Sequence, residues 1–132
     1  MLGYYGFGNW GDELSLLASL RALEKIGKES GRSFSYRVLL QSRKSPIPLP
    51  PEVEVVSREN FLAVLEKIRT ADVVVVGGGS LLQDASSFRS LLYYLVLLKW
   101  ALLWRKPLLF YGCGLGPFRR PLSRFMVSRV LR

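Results

Sequence analysis

Apolar residues along the chain switch between helical and strand-like spacing. Residues 12–30 set Leu14, Leu17, Ala18, Leu23 and Ile26 on one predicted helix face, with Arg21, Lys25, Lys28 and Glu29 outside and Gly31 as the stop. Residues 34–41, FSYRVLLQ, read as a strand. Residues 42–52, SRKSPIPLPPE, hold four prolines and predict an extended loop. Residues 53–56, VEVV, form a short strand. Ser57 is placed to cap a helix whose apolar face is Phe61, Leu62, Leu65 and Ile68. Residues 73–76 are four consecutive valines, apolar on both sides, as in a parallel sheet covered on both faces. A helix over 88–104 follows, then a buried strand over 107–114, PLLFYGCG. Pro121 then opens a last helix running to Arg132.

This order predicts an α/β fold, a Rossmann-like parallel sheet sandwiched by helices with right-handed crossovers. The 132 residues make one domain, with no internal repeat. The most apolar run, residues 91–104, is 14 residues long and interrupted by Lys99, whereas a membrane span needs roughly 20. It reads as a buried helix. No signal peptide is visible, and the single cysteine, Cys113, forms no internal disulfide and reads as a small buried residue at a strand end. The expected location is cytoplasmic, peripheral at the inner membrane face.

Charge changes the picture in the last third. The net charge is +9, and no acidic residue follows Asp84, so Arg89, Lys99, Arg105, Lys106, Arg119, Arg120, Arg124, Arg129 and Arg132 carry the whole surplus. Such a field favours anionic partners, an anionic membrane surface among them. Specific nucleic-acid binding is not expected, because most aromatic residues lie in apolar runs. The chain has no histidine, so proton transfer within it falls to carboxylates, tyrosine, lysine or water.

Candidate chemistry gathers at three glycine turns: residues 3–13, residues 77–84 (GGGSLLQD) and residues 112–117 (GCGLGP). In open parallel sheets ligands bind beyond the C-terminal strand ends, where exposed N–H groups attract anions. Gly78, Gly79, Ser80, Gln83 and Arg89 are the candidate contacts of the second turn, and Gly114 and Gly116 those of the third. The first turn carries G-x-G-x-x-G at Gly6, Gly8 and Gly11, preceded by two or three residues and no strand, and followed at once by Asp12 and Glu13. Two unit charges about 4 Å apart interact by roughly 4 kcal/mol at an effective dielectric near 20. A pyrophosphate against both carboxylates is repelled, so this turn presents carboxylates to sugar hydroxyls or to proton transfer. Their plainer role is to stabilise the helix N-terminus.

GYYGFGNWGDE, DVVVVGGGSLLQD with SSFRSLLYYL, and YGCGLGP with RPLSRFMVSRVLR together resemble the N-terminal half of the polysaccharide pyruvyl transferases. The likeness is nearest to those acting on bacterial secondary cell-wall polymers of the S-layer anchoring type. The resemblance implies two Rossmann-like halves in a GT-B-like arrangement, with the active site between them. It implies phosphoenolpyruvate as co-substrate and a sugar or lipid-linked saccharide acceptor, commonly N-acetylmannosamine, and neither a separate cofactor nor a metal. The product is a pyruvate ketal, with phosphate released. On it, Asp12 and Glu13 are the catalytic candidates and Asn9 helps at the acceptor. Gly78, Gly79, Ser80 and Arg89 contact the donor's anionic groups, and Gln83 and Asp84 orient a hydroxyl or the neighbouring loop. The family's first strand is expected to be largely missing, with only Met1 and Leu2 left, and its second half absent. A fragment of this kind, inactive alone and completed by a C-terminal half or second chain, is the expectation.

Two other readings stand beside it. One is an NADP-binding Rossmann module, with Arg43 holding the 2′-phosphate. The other is a basic, non-enzymatic module that docks on membrane or polymer.

Overall fold

The computed structural model describes residues 1–41 and 47–132. Arg43 and residues 42–46 of the proline-rich loop lie outside the described residues. Among the described residues, four helices and four strands follow in the expected order: α1 (Trp10–Ser30), β1 (Tyr36–Leu40), β2 (Val53–Ser57), α2 (Phe61–Arg69), β3 (Val74–Gly77), α3 (Phe88–Leu103), β4 (Leu108–Tyr111) and α4 (Pro121–Val130).

β1 pairs with β2 and β3 with β4, both in parallel. The N-terminal residues lie between these pairs. Leu2 bridges Val76 in parallel, donating to the Val75 carbonyl at 2.7 Å and accepting from Gly77 N–H at 2.9 Å. On the other side the Met1 nitrogen donates to the Arg37 carbonyl, and Leu39 N–H donates to the Met1 carbonyl at 3.0 Å. No strand precedes the first turn, as expected, and a single bridge at Leu2 takes its place. Two residues are enough to join the pairs in the order β2, β1, N-terminal segment, β3, β4.

Alternation along β1 separates two cores. Val38 and Leu40 pack with Tyr5, Leu16, Leu20 and Val53 under α1. Leu39 packs with Leu2, Val56, Val74 and Val76 under α2, α3 and α4. Cover on both faces of β1 and β3 follows from this pattern, as the valine run predicted for residues 74–76. α3 supplies Leu91, Tyr94, Leu95, Leu97, Leu98 and Ala101 to the second core. Among the described residues no helix is long and apolar enough to cross a membrane.

Four expectations change. The buried face of α1 is Asp12, Glu13, Leu16, Ser19, Leu20 and Gly27, while Leu14 and Ile26 face solvent. The helix is turned so that its two carboxylates point inward. α2 buries Val64 and Ile68 and leaves Leu62 exposed. Its cap is Asn60, whose Oδ1 accepts from Ala63 N–H at 3.1 Å, whereas Ser57 ends β2. Finally, β4 is not buried: Leu109, Phe110 and Tyr111 are exposed. Among the described residues it is an edge strand, paired on its β3 side alone. The expected N1 position of Pro121 holds.

Candidate functional site

The sheet brings its three glycine turns to one rim. Gly6 N–H donates to Glu13 Oε1 at 2.6 Å, which folds the first turn back over the start of α1. Asn9 caps that helix: its Oδ1 accepts from Gly11 N–H at 3.2 Å and its Nδ2 donates to Asp12 Oδ2 at 2.7 Å. Gly8 is exposed at this turn, with open space around it. The donors of Gly6 and Gly11 are therefore used internally, and the dipole end of α1 already holds Asn9, Asp12 and Glu13.

Asp12 reaches the second turn. A methyl group built on Gly79 would lie 2.5 Å from Asp12 Oδ1. Gly78 and Gly79 both have φ of +69°, a left-handed pair that only glycine adopts readily. Among the described residues, the N–H groups of Gly78, Gly79 and Ser80 donate no hydrogen bond. Successive unused N–H groups of this kind form an anion-binding concavity. The third turn lies alongside. Gly114 N–H donates to the Gly79 carbonyl at 3.0 Å, and a methyl group on Gly114 would lie 2.6 Å from Ser80 Oγ. Gly116 N–H donates to the Leu82 carbonyl at 2.8 Å, so its donor is consumed.

Beneath the rim is Tyr5, fully buried and missed by the sequence reading. Its ring fills the space under Gly78, and its hydroxyl has no hydrogen-bond partner among the described residues. Burial first, then the Asp12 charge, push its phenol well above the usual range. Burial also raises the Asp12 carboxyl above its ordinary value, opposed by the Asn9 hydrogen bond. Glu13 is only 1% exposed; among the described residues its Oε2 is buried without a partner, while Oε1 holds Gly6. Of the two carboxylates, Asp12 is the one that faces the second turn.

The remaining candidates separate. Gln83 is spent on its own loop: Oε1 accepts from Ala85 and Ser86 N–H, and Nε2 donates to Ser86 Oγ. Asp84 is buried and latches the loop before α4, accepting from Arg119 N–H at 2.6 Å, Arg120 N–H at 3.0 Å and Ser123 Oγ at 2.6 Å. Of its two suggested roles, the structure shows the contact with the neighbouring loop. Arg89 is exposed in the first turn of α3. Cys113 is half-buried against the larger core, two residues past β4, and burial raises its thiol pKa.

The Ser123 hydroxyl, together with the Arg119 and Arg120 N–H groups, holds the Asp84 carboxyl below the ordinary aspartate range. A depressed folded-state pKa stabilises above the unfolded value and is lost as pH falls through the folded one. Asp84→Ala is expected to lower Tm by about 8 °C at pH 7. The gap to the parent should narrow as pH falls from the ordinary aspartate value through the lower folded-state one. Thermal melts across pH check both; a gap that does not narrow in acid would deny the latch.

A groove of about 790 Å³ between α2 and α3, lined by Leu62, Glu66, Arg69, Trp100 and Trp104, shares no residue with this rim.

The family model described as polysaccharide pyruvyl transferase matches residues 9–132. Neither the curated proteins nor the solved structures gave a match.

Proposed function

We propose, for a chain that belongs to the polysaccharide pyruvyl transferase family, that its glycine rim holds phosphoenolpyruvate against a pair of hydroxyls on a saccharide acceptor. The single observation that carries this reading is the contact of Asp12 with the Gly78–Ser80 turn. It sets an acceptor-facing carboxylate beside backbone donors suited to an anion.

The chemistry has two halves. A proton adds to the methylene carbon of the enol, and the oxygen of the first hydroxyl bonds to the neighbouring carbon as its own proton leaves. The carbon–oxygen bond to phosphate then breaks, phosphate departs, and the second hydroxyl closes the ketal. A carboxylate within reach of each hydroxyl removes its proton, and fixed N–H dipoles steady the departing phosphate. Asp12 takes the first part and the N–H groups of Gly78, Gly79 and Ser80 the second. Glu13 shapes the turn that presents Asp12. Asn9 orients the carboxylate through its 2.7 Å hydrogen bond.

In this reading a second Rossmann-like unit, in a GT-B-like arrangement, closes over the rim and supplies the proton donor to the enol. Support comes from the openness of the site: Tyr4, Phe7, Trp10 and Leu14 are all exposed around the first turn. Turnover then requires that unit, whereas binding of the donor does not.

The test is calorimetric titration of the chain with phosphoenolpyruvate, followed by phosphate release with a diol-bearing saccharide and the second unit supplied by another family member. Saturable donor binding and acceptor-dependent phosphate release are expected. Absence of donor binding, or tight NADPH binding in its place, would sink the reading.

A further inference from the structure

Arg58 follows directly on the last residue of β2, at the same end of the sheet as the glycine turns. Its backbone N–H donates to the Leu40 carbonyl at 2.9 Å, which ties it to the neighbouring strand end. Its guanidinium carbon lies 4.6 Å from the ring centroid of Tyr93, 5.1 Å from that of Phe7 and 5.9 Å from that of Tyr94. Phe7 belongs to the first glycine turn and is itself stacked on Tyr4, at 3.9 Å between centroids. Tyr94 in turn donates its hydroxyl to the Gly3 carbonyl at 2.8 Å. One positive charge is therefore caged by aromatic rings between the first turn and α3.

No ion pair among the described residues includes Arg58, whose guanidinium lies against the Tyr93 hydroxyl and keeps its other N–H groups free of carboxylates. Rings attract a guanidinium through their negative faces, and the planar N–H fork remains available for a bidentate acceptor. Rings that hold the side chain in place also lower the entropy cost of using it. The Tyr93 hydroxyl faces the Arg58 guanidinium, and its own O–H is a further donor at the cage. Arg89 stands four residues before Tyr93 on α3, hence on the same helix face, and is exposed.

We propose that Arg58 is the anion anchor of this rim. Its N–H fork takes the carboxylate or phosphate of a small anionic substrate, and Arg89 adds charge from one turn away. The inference rests on the pyruvyl-donor reading only for the identity of that anion. The geometry of the glycine turns leaves the need for a full charge unmet, because Asp12 lies against Gly79 and its negative charge opposes an anion there. Backbone dipoles alone answer that charge poorly.

The test titrates the whole chain, calorimetrically, with phosphoenolpyruvate and separately with inorganic phosphate. The parent is expected to bind both. Arg58→Gln should weaken both by at least about tenfold, and Arg58→Lys, which keeps the charge and loses the fork, by about fivefold. Arg89→Gln should weaken them by about twofold to threefold, with a smaller salt dependence than the parent. If Arg58→Gln fails to fold, as judged by near-ultraviolet circular dichroism, Arg58→Lys decides. Parent-like affinity in the folded Arg58 variants overturns the anchor and leaves the donor reading standing. Arg58-dependent binding of phosphate without binding of phosphoenolpyruvate keeps the anchor and removes the donor reading. A parent that binds neither ligand removes both.

Discussion

Gly3→Ala is expected to lower the melting temperature of the chain by roughly 10–15 °C. A methyl group on Gly3 would stand 2.1 Å from Cε2 and Cζ of Tyr5 and 2.7 Å from the Gly77 carbonyl oxygen. Neither neighbour can give way. Gly77 is the last residue of β3, and the Tyr5 ring is fully buried under Gly77 and Gly78. Overpacking a core by one methyl group costs about 1–3 kcal/mol where side chains can adjust. Here one of the two clashes is with backbone, at the point where Leu2 joins the two strand pairs. We expect at least about 3 kcal/mol of destabilisation, which corresponds to a Tm fall of roughly 10–15 °C. Thermal unfolding followed by circular dichroism is the measurement. Adding Tyr5→Leu should restore part of the loss by opening the space the methyl needs. A single Gly3→Ala variant melting within about 2 °C of the parent would mean that Tyr5 does not lie under the turn.

The helices and strands were legible because period dominates local structure: β-branched valines favour the covered strand found over Val74–Gly77, and Pro121 opens α4 where its missing N–H is no loss. The facing of α1 was not legible. Apolar spacing put Leu14 and Ile26 inward, yet the Gly6 N–H needs an acceptor, and supplying Glu13 turns the helix and exposes both. A long-range hydrogen bond of this kind leaves no periodic trace. The exposure of β4 was hidden for a related reason. LLFY reads as a strand whether or not a neighbour covers it, and edge position is a property of topology. The two residues of the N-terminal segment were too short to show a period, although they occupy the centre of the sheet.

For the site, the glycine spacing correctly pointed to turns at strand ends, and Asp12, Gly79, Ser80 and Gly114 do come together. Asp84 looked like one more polar group in the second turn, and only the path of residues 119–123 shows it engaged. Arg58 was passed over because a single arginine after a short strand carries no pattern. The signal lay in its position one step past a strand end, together with the aromatic residues of the first turn and of α3. Those three segments are far apart in the chain, and only the fold makes them neighbours.

Asp12→Asn separates the two roles open to that carboxylate. If Asp12 accepts the acceptor's proton, the amide variant should lose about 10²–10⁴-fold in turnover, read as phosphate released with acceptor and the second unit present. Its stability should move the other way. Burial raises the Asp12 carboxyl pKa in the folded chain. Between the unfolded and folded values the native state therefore holds more protons, so stability falls as pH rises through that window. At neutral pH the charged Asp12 is a net cost to the fold, and asparagine, which keeps the shape without the charge, relieves it. Asp12→Asn should melt at or above the parent's temperature at pH 7, and the difference should vanish in acid, below the ordinary aspartate range. The parent's rate should fall with acid at a higher pH than an ordinary aspartate would dictate, because a protonated Asp12 cannot accept the hydroxyl proton. A carboxylate serving only the dipole of α1 gives the opposite stability result: its amide would melt lower and turn over normally. That pair of outcomes would remove Asp12 from the chemistry and return the rim to a purely structural role in presenting the first turn.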